Sequence, residues 1–250
     1  MNKKTTKDIH YDYMQNQYSK YWINARYEKY GFQEYDKNLI EYIESVKPEG
    51  KLLEVAIGTG FPFAETFQKK GYDVSGIDIS PLLINHCKQN YPFINCTVGS
   101  AENLPYDDLI YDITYCFHST WYFKDIVKSV FEMARVTKND GVVVFDVINI
   151  NNKSISDSYN RKKNRYRLRF FYYPLLIIYN VYKILTGNKN REWNFDLHEF
   201  YTKPEILYEK LEEGGLNFIL MARKNDDSLI AIKGRHSFEE FSRLIFVIQK

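Results

Sequence analysis

The apolar positions of this chain follow two alternating rhythms. Residues 8 to 47 read as helical: Leu39, Ile40, Ile43 and Val46 recur at helix spacing, and Pro48-Glu49-Gly50 ends the pattern. Lys51 to Ala56 is a short apolar strand that runs into the small-residue turn Ile57-Gly58-Thr59-Gly60. Phe61 to Lys70 reads as a helix closed by Gly71. Tyr72 to Asp78 is a second strand, and Ser80-Pro81 opens the next helix with an N-cap and a first-turn proline. Phe93 to Val98 and Ile110 to Phe117 are the third and fourth strands, and Phe123 to Val136 is a helix. Gly141 to Ile148 is a fifth strand, apolar enough to be buried on both faces. This alternation predicts a doubly wound α/β fold, a mostly parallel sheet with helices on both sides. After residues 151–200 the pattern resumes with a helix at Lys203 to Glu213 and strands at Leu216 to Ala222 and Arg243 to Ile248. No helix of crossover length separates those two, so the last strand is expected to be antiparallel and the sheet seven-stranded.

At 250 residues the chain is read as one domain, 1–250, with room for one helical insertion after strand five. A hydrophobic share of 44% with 26% charged residues excludes a disordered chain. Charge changes the picture more. The formal net charge is +2, yet residues 153–191 carry ten basic residues against one acid, which leaves −7 for the rest. Cys87, Cys96 and Cys116 form neither a disulfide framework nor a zinc-type C-x-x-C pair, and read as small hydrophobes in a reducing cytosol. No metal site is expected. The polar stretch Met1 to His10 lacks the apolar core of a secretory signal, so a cytoplasmic location is expected. The longest uncharged run, Phe170 to Tyr182, is too short for a membrane-spanning helix.

The turn after the first strand is the first feature that carries chemistry. A small-residue turn leading from a parallel strand into a helix lets backbone approach a ligand closely. It also offers free helix N–H groups to a polar partner. Asp78 ends the second strand, where a carboxylate can accept both hydroxyls of a ribose. Together these are parts of a nucleoside site. The small residues are Ala56, Gly58 and Gly60, in the order small-x-Gly-x-Gly, which disfavours the G-x-G-x-x-G of dinucleotide folds.

Glu54 precedes that turn by two residues, and the whole resembles the E/D-x-G-x-G-x-G motif of class I S-adenosylmethionine (SAM)-dependent methyltransferases, small-molecule enzymes of the type 11 kind. Further segments resemble the family in order: Val74 to Ser80, Ala101-Glu102-Asn103-Leu104-Pro105-Tyr106, Tyr111 to Thr114, Glu132 to Gly141, and Tyr201 to Ile206 with Gly214-Gly215-Leu216. They cover about residues 50–149 and 200–250. The resemblance implies a Rossmann-like methyltransferase fold with SAM as cofactor and S-adenosylhomocysteine (SAH) as product. It places Glu54 near the methionine amino group and the backbone around Ala56, Gly58 and Gly60 against the cofactor. Asp78 would take the ribose hydroxyls, Ile79 would lie on adenine, and Ser100, Ala101 and Glu102 near the adenine amino group. Phe117 and His118 would floor the methyl site. Two positions depart from the pattern: Ala56 replaces the first glycine, and Ser100 replaces a frequent aspartate.

Methyl transfer needs a positioned nucleophile and, for a hydroxyl, a base. The candidate bases are His118 after the fourth strand and His198 before the last helix, each also readable as a loop residue. Trp121 and Tyr122 are candidates for a substrate wall, or anchors of the helix that follows. Residues 1–47 are expected to form a helical lid carrying several tyrosines and Trp22, any of which could touch SAM. Residues 151–200 are expected to cap the substrate side. Their basic-aromatic stretch has three open readings: a cover, a wall binding an anionic substrate through residues such as Arg165 and Arg169, or a weak membrane-surface contact through 161–182. No RNA-binding module is evident, and no nucleic-acid partner is expected. The expectation is methylation of an oxygen or nitrogen on a small anionic metabolite such as an activated sugar. The alternatives are a peripheral-membrane quinone or lipid methyltransferase and a SAM-binding regulator without turnover. Oligomeric state is not legible.

Overall fold

The structure is a computed structural model, and it describes residues 15, 19–25, 31–167, 201–232 and 235–250. Five parallel strands come first: β1 (Lys51–Val55), β2 (Asp73–Asp78), β3 (Asn95–Val98), β4 (Tyr111–Cys116) and β5 (Thr137–Ile148). β6 (Phe218–Arg223), β7 (Leu229–Ala231) and β8 (Arg243–Gln249) complete a sheet of order β3-β2-β1-β4-β5-β8-β6-β7. β8 inserts antiparallel between β5 and β6, as the absence of a crossover helix predicts.

The sheet has eight strands among the described residues, not the seven expected. The additional strand, β7, is three residues long and pairs antiparallel with β6 after the Lys224 to Ser228 turn. Three residues, two half-exposed and one exposed, are too few to give an alternation that sequence reading can detect.

Helices α1 (Ser19–Ala25), α2 (Glu34–Val46), α3 (Phe63–Lys69), α4 (Pro81–Asn90), α5 (Ile126–Val136), α6 (Lys153–Arg167) and α7 (Pro204–Glu213) flank the sheet. Period-two alternation sends Leu52, Ile113, Tyr115 and Val144 to one face, where α2, α3 and α4 bury Leu39, Ile43, Phe67 and Ile84 against them. The intervening Leu53, Val55, Val143 and Phe145 meet α5 and α7 through Val130, Met133, Leu207 and Leu211 on the other face. This two-sided burial explains why the strands read as apolar runs.

One glycine is fixed by packing. A Cβ on Gly76, in the middle of β2, would lie 2.2 Å from Ile57 Cδ1 and 2.9 Å from Ile57 Cβ. Ile57 is itself held by its N–H to the Ile77 carbonyl at 3.0 Å. Gly76→Ala is therefore expected to destabilise the fold by about 1–3 kcal/mol through overpacking. The readout is a lowered denaturant midpoint at unchanged slope. An unchanged midpoint would show that the Ile57 turn yields freely.

Strand order reverses between β1 and β4, and ligands of open α/β sheets bind outside the carboxyl ends of the strands at such a point. The cleft described next lies there.

Candidate functional site

The β1–α3 turn is built from left-handed residues: Ala56 has φ +63°, Gly58 +58° and Gly60 +85°. Glycine adopts this region freely, whereas Ala56 adopts it at a cost of about 1 kcal/mol. A Cβ on Gly58 would sit 3.4 Å from the Trp22 indole nitrogen and narrow the cleft between turn and ring. A Cβ on Gly60 would meet Cys87 Sγ at 2.9 Å, so that glycine serves packing against α4.

Asp78 closes the other side. It is 8% exposed, and each carboxylate oxygen takes one backbone N–H: Oδ2 from Gly58 at 3.0 Å and Oδ1 from Ser80 at 2.8 Å. Ser80 in turn caps α4 by accepting the Leu83 N–H at 3.3 Å. Burial pushes the Asp78 carboxyl up to about 6, and the backbone N–H groups oppose the shift. The Ile79 N–H adds to the Gly58 and Ser80 bonds in favouring the ionised carboxylate. A buried acid in that state suits neutral hydroxyl donors, such as those of a ribose.

The cleft between them has a volume of about 760 Å³, counting the solvent in its open mouth. Ala56, Gly58, Asp78, Ile79 and Ala101 line it, as expected from sequence. Leu83 and Gly99 add to the wall beside Ile79. Ser19 and Trp22 of α1 line the opposite side, and Gln15 Nε2 donates to the Ile79 carbonyl at 3.2 Å, so N-terminal residues do lie over the end of β2. Trp22 is thus the one aromatic, among the candidates at the described N-terminal positions, that lines the cleft. His118, Ser119, Tyr122 and Phe123 complete the end beyond β4. Among the described lining residues none is a lysine or arginine.

Several expected site residues lie elsewhere. Glu54 is buried within β1 and accepts the Tyr115 hydroxyl at 2.7 Å. Phe117 is enclosed by Phe63 and Tyr115, with ring centroids 5.0 and 5.1 Å away. Ser100 bonds Glu102, whose Oε1 accepts the Lys124 N–H at 2.9 Å, so this pair ties the 100–103 turn to the segment before α5. Trp121 is buried beneath the Arg243 guanidinium, 4.8 Å from its ring centroid. These five do not line the cleft. Arg165 lies on α6, and Arg169 and His198 lie outside the described residues, as does most of 161–182. The Glu132 to Gly141 segment acts as a clamp: Arg135 donates to the Leu104 and Tyr106 carbonyls at 3.0 and 2.8 Å, fixing the loop behind Ala101.

The end of the cleft at His118 rests on a charged cluster that sequence reading missed. Asp36 of α2 and Asp146 of β5 are both fully buried. Asp36 Oδ1 lies 2.7 Å from His118 Nε2, and Asp146 Oδ1 accepts the His118 backbone N–H at 2.8 Å. Arg243 of β8 pairs with Asp146 Oδ2, and the Tyr35 hydroxyl donates to the same oxygen at 3.5 Å. Burial lowers the His118 pKa, with Asp36 pulling it back up. The signal for half of this cluster was available: Asp146 is the lone acid in the apolar run Gly141 to Ile148.

Residues 53–145 match a methyltransferase domain family. A demethylmenaquinone methyltransferase of Chlorobaculum tepidum is 33% identical over 93 residues, 37% of this chain and 38% of that protein. A malonyl-[acyl-carrier protein] O-methyltransferase of Serratia marcescens is 26% identical over 104 residues, 42% of this chain and 40% of that protein. The chain thus matches about two-fifths of the length of these relatives. The whole described fold resembles a SAM-dependent methyltransferase of Thermotoga maritima, with TM-score 0.61 at 15% identity over 97% of this chain and 98% of the other. It also resembles a TehB-like SAM-dependent methyltransferase of Corynebacterium glutamicum, with TM-score 0.57 at 18% identity, covering 96% and 99%.

Proposed function

We propose that this chain, which belongs to the class I SAM-dependent methyltransferases, transfers a methyl group from SAM to an oxygen or nitrogen of a small anionic metabolite. The observation that carries the reading is Asp78, a buried carboxylate that lines the cleft opposite the Gly58 turn at the switch point of the sheet. Asp78 would hold the ribose hydroxyls, Ile79 and Leu83 would flank adenine, and the Ala56 to Gly58 backbone would run along the methionine part. SAM, when bound, supplies an electrophilic methyl carbon on a sulfonium. The chain's share is then positioning and exclusion of water, with Trp22 and Ser19 on one side and His118, Ser119 and Tyr122 where an acceptor would lie.

Two observations support an anionic acceptor, methylated on oxygen: the ten basic residues at 153–191, and a relative whose name specifies an O-methyltransferase. Nothing favours an activated sugar within that class. A second reading, a quinone or lipid acceptor at a membrane surface, draws on the demethylmenaquinone methyltransferase relative and the same basic segment. Among the described residues no helix is long and apolar enough to cross a membrane. Transfer of labelled methyl from SAM to small carboxylic acids supports the first reading. Sedimentation with anionic liposomes at low but not high salt, with no labelled acid formed, would replace it by the second.

The elevated Asp78 carboxyl gives a pH prediction. Its folded value of about 6 lies above the ordinary 3.8, so on acidification it is protonated in the free protein before it would be in the unfolded chain. Hydroxyl donors need the ionised form. SAH affinity is therefore expected to fall as pH drops through about 6, and to stay flat there in Asp78→Asn. Titration calorimetry between pH 5 and 8 reads this (pH values chosen about one to two units either side). A wild-type profile as flat as the variant's would remove Asp78 from the site.

A further inference from the structure

We propose that Asp36 is a positioning residue for this reaction: it holds the His118 imidazole as the Nε2–H tautomer and leaves Nδ1 as a proton acceptor at the cleft wall. The proposal deepens the methyltransferase reading and rests on it, because that reading gives the nitrogen a use.

The argument begins with donor and acceptor chemistry. Asp36 is fully buried in the first turn of α2, and its Oδ2 accepts the Gln33 N–H at 3.0 Å. Its Oδ1 lies 2.7 Å from His118 Nε2, within the range of a charge-assisted bond. An ionised carboxylate only accepts, so Nε2 carries the proton and the lone pair of the neutral ring sits on Nδ1.

Other elements also face the ring. Asp146 of β5, Arg243 of β8, Tyr35 of α2 and the Phe63 ring of α3 surround it. Asp146 Oδ2 is 3.9 Å from Nδ1, beyond hydrogen-bond distance, and is occupied by Arg243 and the Tyr35 hydroxyl. Among the described residues no hydrogen bond reaches Nδ1. His118 is one of the residues that line the cleft at the end of β4, and its side chain keeps 14% exposure.

The backbone is committed to the same end. His118 has φ +58°, a left-handed conformation that a non-glycine residue keeps only where its surroundings hold it. Here two buried carboxylates do so, Asp146 through the backbone N–H and Asp36 through the ring. Burial keeps the ring neutral, and the Asp36 carboxylate restores part of its basicity and would stabilise the imidazolium. In the step this serves, the acceptor's O–H bond breaks, the proton moves to Nδ1, and the electron pair stays on the oxygen.

The test is nitrogen-15 NMR of the full chain with labelled histidine, His118 being identified as the resonance lost in His118→Gln. The neutral wild-type ring is expected as the Nε2–H tautomer. In Asp36→Asn, with SAH affinity within about twofold of wild type, His118 is expected to titrate about one pH unit or more lower, with its tautomer mixed. A wild-type Nδ1–H tautomer overturns the proposal and needs no variant, so the test stands even if Asp36→Asn fails to fold. An unchanged titration and tautomer in folded Asp36→Asn overturns it equally. Wild-type protein that shows the Nε2–H tautomer but no SAH binding supports the Asp36–His118 pairing and contradicts the methyltransferase reading.

Discussion

Arg243→Leu is expected to lower the free energy of unfolding by about 3–5 kcal/mol. Asp146 is fully buried, and Arg243 is its cationic partner. The pairing follows from register. Asp146 sits opposite Ile245 in the β5–β8 ladder, and Arg243 is two residues along, diagonal across the pair and on the same face. The guanidinium also lies over the rings of Tyr35 and Trp121, at 5.7 and 4.8 Å. Removing it leaves a buried carboxylate uncompensated, with Asp36 nearby. Denaturant unfolding measures the loss. The double variant Arg243→Leu/Asp146→Leu should lose less than Arg243→Leu alone, because the stranded charge is gone. A single variant within about 0.5 kcal/mol of wild type would show the pair to be dispensable.

Asp78→Ala is expected to weaken SAH binding by about 1.5–3 kcal/mol, the size of hydrogen bonds made to a charged group, or roughly 10- to 150-fold. The same change also releases the Gly58 and Ser80 N–H groups, so part of the loss comes from a loosened turn. Asp78→Asn separates the two contributions: its amide keeps one acceptor oxygen and the shape, but not the charge. Affinity for SAH unchanged in Asp78→Ala would mean that the ribose site lies elsewhere.

The parts of the site legible in the sequence are those whose chemistry is local. The turn at Ala56 to Gly60 shows in its small residues because three alternate left-handed positions, two of them glycine, leave little choice. Asp78 shows because a strand end and an N-cap at Ser80 follow each other directly. The Glu132 to Gly141 segment matches the family, but its purpose was invisible until Arg135 was seen holding the carbonyls of Leu104 and Tyr106.

What escaped depends on how distant elements dock. Asp36 reads as one more acid on an amphipathic helix, and its burial against His118 follows from the seating of α2. Asp146 was a visible anomaly in an apolar strand, yet its partner could be named only from the β8 register. The resemblance places Glu54 and Phe117 at the cofactor, and the docking of Tyr115 and the rings around it sets where they lie. Trp22 was one of several closely spaced N-terminal aromatics, and only the position of α1 singles it out.

The central claim is that the cleft between the Gly58 turn and Asp78 is a SAM site. Isothermal titration of the wild-type chain with SAH, and separately with NAD, tests it most directly. The result predicted is saturable one-to-one binding of SAH with no measurable heat from NAD. Saturable NAD binding with no response to SAH would contradict it.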